Sequence, residues 1–490
     1  MQPFTIQQIK QQLIELEKKM LLEAQKRLPQ FKSIHPQQYL AAQNMIHYLT
    51  LRNEDIRELQ DVLHIHGLSS LASSESHVHR QLQSILLRLG KKYAAEEMDT
   101  CTYEYNIQQM EQKSTILFGE KADAAIPYIM VTFDASFADN YALIKNLLQN
   151  GMNVARINCA HDEEATWSRM IQHLKRACRQ TGLSCRIYMD LAGPKIRTKL
   201  MNKGKDKGKV KVIEGQLVWL AEDAHGFKND EVVISPNEAG IIAMLKKGER
   251  VYIDDGIIKG IVESIKKNVA AVRIIRISSI KQQIKSGKGI NFPDSEMPIS
   301  SLTEFDKACL PFICEHADMV GYSFVRYPSD LECLQQVLKK LSSVPPHIII
   351  KIETLEAVKN LPALLLCGMQ QKAFGVMIAR GDLAVEIGFE RMGEIQEEIL
   401  WICESAHVPV VWATQVLETL NKSGIATRSE ITDAAHAAMA ECVMINKGDH
   451  TIEVIETLRD ILARTGGHHI KKRFTFRPLS IAKRFMNDQA

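Results

Sequence analysis

The 490-residue chain has no stretch of about 18 uncharged apolar residues, so no transmembrane helix and no membrane partner are expected. Lys10, Glu15 and Lys18 interrupt the N-terminal region where a secretory signal needs an apolar run, which points to the cytoplasm. The ten cysteines form no Cys-x-x-Cys pair and have no matching histidine spacing, which disfavours a zinc site or redox motif and suits scattered thiols of a reducing cytosol. A large charge excess is lacking too. Lys and Arg number 61 against 58 Asp and Glu, a net +3, so nothing global argues for a nucleic-acid partner. With 26 Gly and 15 Pro the chain is neither collagen-like nor low-complexity. What remains is a globular composition, 45% hydrophobic and 24% charged, on a chain long enough for two or three domains.

Residues 1–122 carry helical periodicity only. Ile9, Leu13, Leu16 and Met20 recur every three or four positions, and Gly67 and Gly90 fall where helices end. Asn53 to Leu89 resembles a DNA-binding helix-turn-helix only in its turn, so a packing or oligomerisation bundle is the better reading. From Pro127 the pattern changes to short β-branched runs at 128–133, 153–158, 186–190, 318–324, 347–353, 374–379, 408–413 and 442–446. Every run but the third leads into a helical stretch, so eight βα units predict an α/β fold, a (β/α)₈ TIM barrel over 123–197 and 296–466, with an open doubly wound sheet as the competitor. The third strand instead enters residues 198–295, rich in strand-like runs, which predicts a small β-barrel cap domain inserted over the active-site face. Residues 467–490 form a basic tail with Lys471, Lys472, Arg473, Arg477, Lys483 and Arg484.

Charged and polar residues gather where the predicted strands end: Arg156, Asn158 and His161; Asp190, Lys195 and Arg197; Ser323 and Arg326; Lys351 and Glu353; Arg380, Gly381 and Asp382; Thr414 and Gln415. Packing does not explain such a set, because a buried unpaired charge is heavily penalised. Arg156, Lys195, Arg197 and Lys351 could neutralise phosphate oxygens, while Glu353 and Asp382 could hold one Mg²⁺ or Mn²⁺, which suits phosphoryl transfer. Thr414 offers a proton-moving hydroxyl, and Gly381 opens a helix whose amides could receive a substrate carboxylate.

These residues stand in GMNVARIN (151–158), YMDLAGPKIRT (188–198), VYIDDG (251–256), KGINFP (288–293), DMVGYSFVR (318–326), IIIKIET (348–354), MIARGDLAVE (377–386) and ATQVLETL (413–420). In kind and order they resemble the motifs of pyruvate kinases, over roughly 126–464. The resemblance implies phosphoryl transfer from phosphoenolpyruvate to ADP, giving pyruvate and ATP. It makes Lys351 the steadier of the phosphoryl group and enolate, Glu353 and Asp382 the metal ligands, and Arg156 a phosphate clamp. Thr414, Gly381, Asp382, Arg197 and Ser323 fall on the substrate side, and Asn158, His161, Asp255 and Lys288 on the nucleotide side. A homo-oligomer is expected.

Several positions depart from the family pattern. Phe133-Asp-Ala-Ser136 replaces an Ile-Gly-Pro-Ala-Ser turn, Ile445-Asn-Lys-Gly448 replaces Leu-Ser-Gly-Glu-Thr, and the C-terminal effector domain is not found, so regulation through it is not expected. Ala160, Leu191 and Lys195 stand where K⁺-requiring relatives have Ser, Thr and Glu. The resemblance therefore implies that Lys195 supplies the charge K⁺ otherwise contributes and that K⁺ is not required. A Mg²⁺-dependent keto-acid aldolase or lyase, and a catalytically weak regulatory protein working through its helical N-terminus, are the alternatives.

Overall fold

The computed structural model describes residues 5–466 except 32, 122, 280, 281 and 298, together with 469–470 and 473–474. Most of the basic tail, including Lys471, Lys472, Arg477, Lys483 and Arg484, lies outside the described residues.

Eight parallel strands close into a barrel: Tyr128–Phe133, Val154–Asn158, Arg186–Asp190, Met319–Tyr322, His347–Ile352, Gly375–Ala379, Val410–Ala413 and Cys442–Ile445. Each pairs with its sequence neighbours and the first closes on the eighth, Val131 opposite Ile445. The continuous Val/Ile character of these runs reflects burial on both faces, and closure decides against the open sheet. Strand side chains alternate, so Met130, Val154, Tyr188 and Met377 fill the interior while Ile129, Ile157 and Ile378 pack outward under the helices.

Between the third and fourth barrel strands lies the cap. Its strands hydrogen-bond as a seven-stranded sheet plus a separate two-stranded ribbon, Lys209–Lys211 with Gln283–Lys285, rather than as one closed ring among the described residues. The long pair Ile258–Lys266 and Val269–Ile277 anchors a core of its own around Val218, Leu220, Val262 and Val272. Periodicity missed Thr198–Leu200, Val233–Pro236, Gln283–Lys285 and Ile290–Asn291, too short to display alternation, and also the nine-residue Ile258–Lys266, whose Gly260 and charged Lys259 and Glu263 break up its apolar run.

The N-terminal helices are α1 (Ile6–Arg27), α2 (Tyr39–Arg52), α3 (Arg57–Ile65), α4 (Val78–Arg88) and α5 (Tyr103–Phe118). Ile9, Leu13, Leu16 and Met20 form the buried stripe of α1, as their spacing predicts. Gly67 and Gly90 end α3 and α4 at φ 66° and 77°, each with paired amide-to-carbonyl bonds back into the last turn, for example Leu68 N to Leu63 O at 2.8 Å. The helices do not stand apart from the barrel. Ala41, Ala42, Met45 and Ile46 join the core beneath its outer helices, Asn44 donates to Ser405 O at 2.8 Å, and Leu117 and Phe118 enter the barrel interior against Tyr128. A chain begun near Asp123 would lose the side chains that close the barrel's lower end.

Candidate active site

The site lies at the carboxyl ends of the barrel strands, where side chains from successive strands converge. Asp190, 1% exposed, is its centre. Its Oδ2 accepts from Arg156 Nη2 at 2.6 Å and Lys351 Nζ at 3.2 Å, and its Oδ1 from the Tyr188 hydroxyl at 3.0 Å. Lys351 also reaches Ser323 Oγ at 2.8 Å and Glu353 Oε1 at 3.0 Å, while Glu353 Oε2 accepts from the Phe324 amide at 2.7 Å. Two cations thus face two carboxylates in a buried pocket, which resolves the burial penalty that the sequence pattern raised.

Burial pushes Asp190 upward, yet the Lys351 and Arg156 charges prevail and hold it below the ordinary aspartate value. Burial also opposes the Lys351 charge, and Asp190 and Glu353 overcome it, so the ammonium is held. Glu353 is raised, first by burial and then by the nearby charges of Asp382 and Asp190, against the opposing pull of Lys351. Two carboxylates whose charges are felt at one position are a fitting donor set for a divalent cation, and Glu353 and Asp382 are the pair that could hold Mg²⁺.

Lys195 crosses from the cap hinge to Asp382, contacting its two oxygens at 2.7 and 3.0 Å, with Asp255 at 3.8 Å. It neither faces solvent freely nor pairs with Asp190. The loop that delivers it turns at Gly193 (φ 66°), where a Cβ would stand 2.8 Å from the Phe324 ring. Among the positions where a relative's K⁺ ligands would stand, Asn158 Oδ1 accepts from the Ala160 amide at 3.0 Å and Ser323 Oγ donates to Leu191 O at 2.6 Å.

Thr414 has φ 67° and Gln415 φ 57°, a strained pair for non-glycine residues, the first β-branched. Gly381 N donates to Thr414 Oγ1 at 2.9 Å, and Arg380 holds the Thr414 carbonyl at 2.6 Å while pairing with Asp433. The Gly381 amide thus meets a hydroxyl here.

Other expected residues stand further out. Arg197 donates to Gly287 O at 3.0 Å, a hinge contact with the cap that does not join the central network. Lys288 pairs with Asp254 at 3.0 Å, and Asp255 is exposed at φ 54°. His161 is exposed at the mouth; partial burial, then the Lys447 and Arg197 charges, lower its pKa. Arg326 turns to the carbonyls of Met297 and Ile299. Sequence reasoning missed Tyr188, Thr132 and Gly321 as supports. Thr132 Oγ1 accepts from Arg156 at 3.1 Å, and a Cβ on Gly321 would lie 1.9 Å from the Tyr188 hydroxyl. The two-residue step from Tyr188 to Asp190 on an inward face was the available signal.

Fold and site together define a capped (β/α)₈ barrel with a buried network of cations and carboxylates at its strand ends. The family described as "Pyruvate kinase, barrel domain" matches residues 128–453, and the chain belongs to the pyruvate kinase family. It is 31% identical over 327 residues to a pyruvate kinase of Geobacillus stearothermophilus, covering 65% of this chain and 53% of that one. It is 31% identical over 362 residues to the Homo sapiens protein named pyruvate kinase PKLR, covering 70% and 60% respectively. A crystal structure of a pyruvate kinase from Cryptosporidium parvum superposes with TM-score 0.62 at 26% identity, covering 72% of each chain. The chain spans about half the length of the first curated relatives it matches. Among the described residues no helix is long and apolar enough to cross a membrane.

Proposed function

We propose that the protein is a cytoplasmic, Mg²⁺-dependent pyruvate kinase that moves the phosphoryl group of phosphoenolpyruvate to ADP and does not require K⁺. The observation that carries this reading is the single network of Lys351, Arg156, Asp190, Ser323 and Glu353, reached from the cap by the Lys195–Asp382 pair. Mg²⁺ held by Glu353 and Asp382 would supply positive charge to the transferring phosphoryl oxygens. Lys351, held charged between Asp190 and Glu353, neutralises charge on the phosphoryl group and then on the enolate oxygen as the P–O bond breaks. Arg156 clamps a phosphate oxygen, with Thr132 and Asp190 fixing its guanidinium. The Asp382 amide, the Thr414 hydroxyl and the Gly381 amide, which donates to that hydroxyl and would exchange it for substrate, serve the substrate carboxylate and the proton passing to C3. The mouth bearing His161 and Lys447 suits the nucleotide phosphates, with Asn158, Asp255 and Lys288 beside it.

Lys195 supports the K⁺-independent reading. Its ammonium already lies on Asp382, and Ala160 and Leu191 offer no side-chain oxygen for K⁺. The test is pyruvate formation from phosphoenolpyruvate and ADP with Mg²⁺, tetramethylammonium being the only monovalent cation. Activity with little gain on adding KCl, and severe loss in Lys195→Glu, are expected; an enzyme silent until K⁺ is added overturns the K⁺-independent reading, and one silent throughout overturns the function.

A further inference from the structure

A second group of titratable side chains is sealed inside the N-terminal helices, remote in sequence from the barrel motifs. His47 on α2 is 0% exposed, and neither ring nitrogen has a hydrogen-bond partner. Its ring meets that of His79 on α4 edge-on at 5.0 Å, and its Nδ1 stands 3.9 Å from Asp99 Oδ2. That same oxygen lies 2.8 Å from His79 Nδ1. One nitrogen or oxygen from each of the three residues lies within 4.8 Å of the others.

The surroundings hold these side chains in place. Asp99 Oδ1 accepts from the Cys101 amide at 2.8 Å, and the Asp99 amide donates to Gln83 Oε1 at 2.8 Å. On the far side of His79, Nε2 stands 3.4 Å from Glu17 Oε1, which also accepts from the Tyr93 hydroxyl at 2.8 Å while Lys91 holds the other Glu17 oxygen. A buried imidazole with two unpartnered nitrogens is costly, and a bound cation would remove that cost.

We propose that His47, His79 and Asp99 bind one divalent transition-metal ion of the Zn²⁺ class, with Glu17 orienting His79 from behind. Two imidazoles and a carboxylate are ligands for Zn²⁺, whereas Mg²⁺ prefers oxygen alone. Ligand atoms about 2.0–2.2 Å from one ion stand roughly 3.3–3.6 Å apart, so the set needs only small side-chain shifts to close around it. In that state His79 presents the Nδ1 lone pair to the ion and donates Nε2–H to Glu17, the carboxylate–histidine–metal arrangement. The ion ties α2 and α4 to the segment leading into α5, and through Glu17 to α1, so its role is to lock the helical layer that closes the barrel. Cysteine spacing could not reveal such a site, because it uses none.

The test uses full-length protein stripped with a chelator and transferred into excess Mg²⁺, which would fill the Mg²⁺ site proposed in the barrel. Titration with Zn²⁺ against a chromogenic chelator should show one ion per chain and a raised thermal midpoint. Co²⁺ in its place should give the visible bands of a four-coordinate nitrogen/oxygen site without thiolate charge transfer. Glu17→Gln should weaken Zn²⁺ binding about 10- to 100-fold, and His47→Gln and Asp99→Asn by more. Wild-type protein that takes up no Zn²⁺ under excess Mg²⁺ overturns the proposal whatever the variants do. So does thiolate charge transfer with Co²⁺, or undiminished binding by His47→Gln and Asp99→Asn. The group would then be only a His79–Asp99 ion pair beside a neutral His47.

Discussion

At the scale of single residues, Asp190 is held by two cations, while Glu353 has Lys351 and the Phe324 amide. Lys351→Met leaves Asp190 paired with Arg156, and Asp382→Ala frees a lysine near solvent, so both variants should fold. Each should lower turnover by about 10² to 10³, the usual cost of losing one preorganised charge, measured in the coupled pyruvate assay beside circular dichroism. Near-normal turnover in either would remove that residue from the site. Glu386, one helical turn beyond Asp382, accepts from the cap's Asn291 at 2.8 Å, and burial pushes its pKa from 4.5 up to about 7. The folded protein binds that proton more tightly than the unfolded chain, so its contribution is fully present below pH 4.5 and is lost as pH rises through about 7. Urea midpoints of Glu386→Gln should vary less with pH across this window than those of the parent. Equal slopes would show that Glu386 does not titrate there.

At the scale of elements, α5 is the informative case. Its periodicity marks it as one more helix of an N-terminal bundle, yet its last turn places Leu117 and Phe118 inside the barrel, and the Gly119 carbonyl accepts from the Tyr128 hydroxyl at 2.9 Å. Lys113 on the same helix is fully buried against Gln38 Oε1 at 2.6 Å and the His407 carbonyl at 2.7 Å, and burial lowers its pKa to about 7. Leu117→Ala and Phe118→Ala should cost about 2–5 and 3–5 kcal/mol of stability, as core truncations do, and a chain starting at Asp123 should aggregate. A soluble, cooperatively folding truncation would show that the barrel closes its lower end without α5.

At the scale of the whole molecule, shared cores decide what unfolds together. The end of α1 and one face of α2 join the barrel's apolar cluster, other N-terminal helix residues form a second cluster against which Trp401 packs, and the cap has its own. Of the four tryptophans, Trp219 alone belongs to the cap, while Trp401 lies where Arg52 of α2 covers it at 5.1 Å. Thermal melts followed by fluorescence should therefore show a transition that Trp219→Phe removes, separate from one shared by the other three. A single transition unchanged by Trp219→Phe would mean that cap and barrel unfold as one.

The sequence by itself determined the eight barrel strands to within about two residues, the place of the insertion and the charged residues at the strand ends. Period-two and period-3.6 patterns are local, and the chemistry of a strand end follows from its address in a barrel. Only the tertiary structure decided that Lys195 pairs with Asp382 rather than Asp190, that Arg197 serves the hinge, and that Tyr188 and Gly321 shape the pocket around Asp190. It likewise decided that His47, His79 and Asp99 meet. Those outcomes depend on which long side chains reach one another across strands and helices far apart in the chain. The sequence lists such side chains, and only packing sets the distance between them.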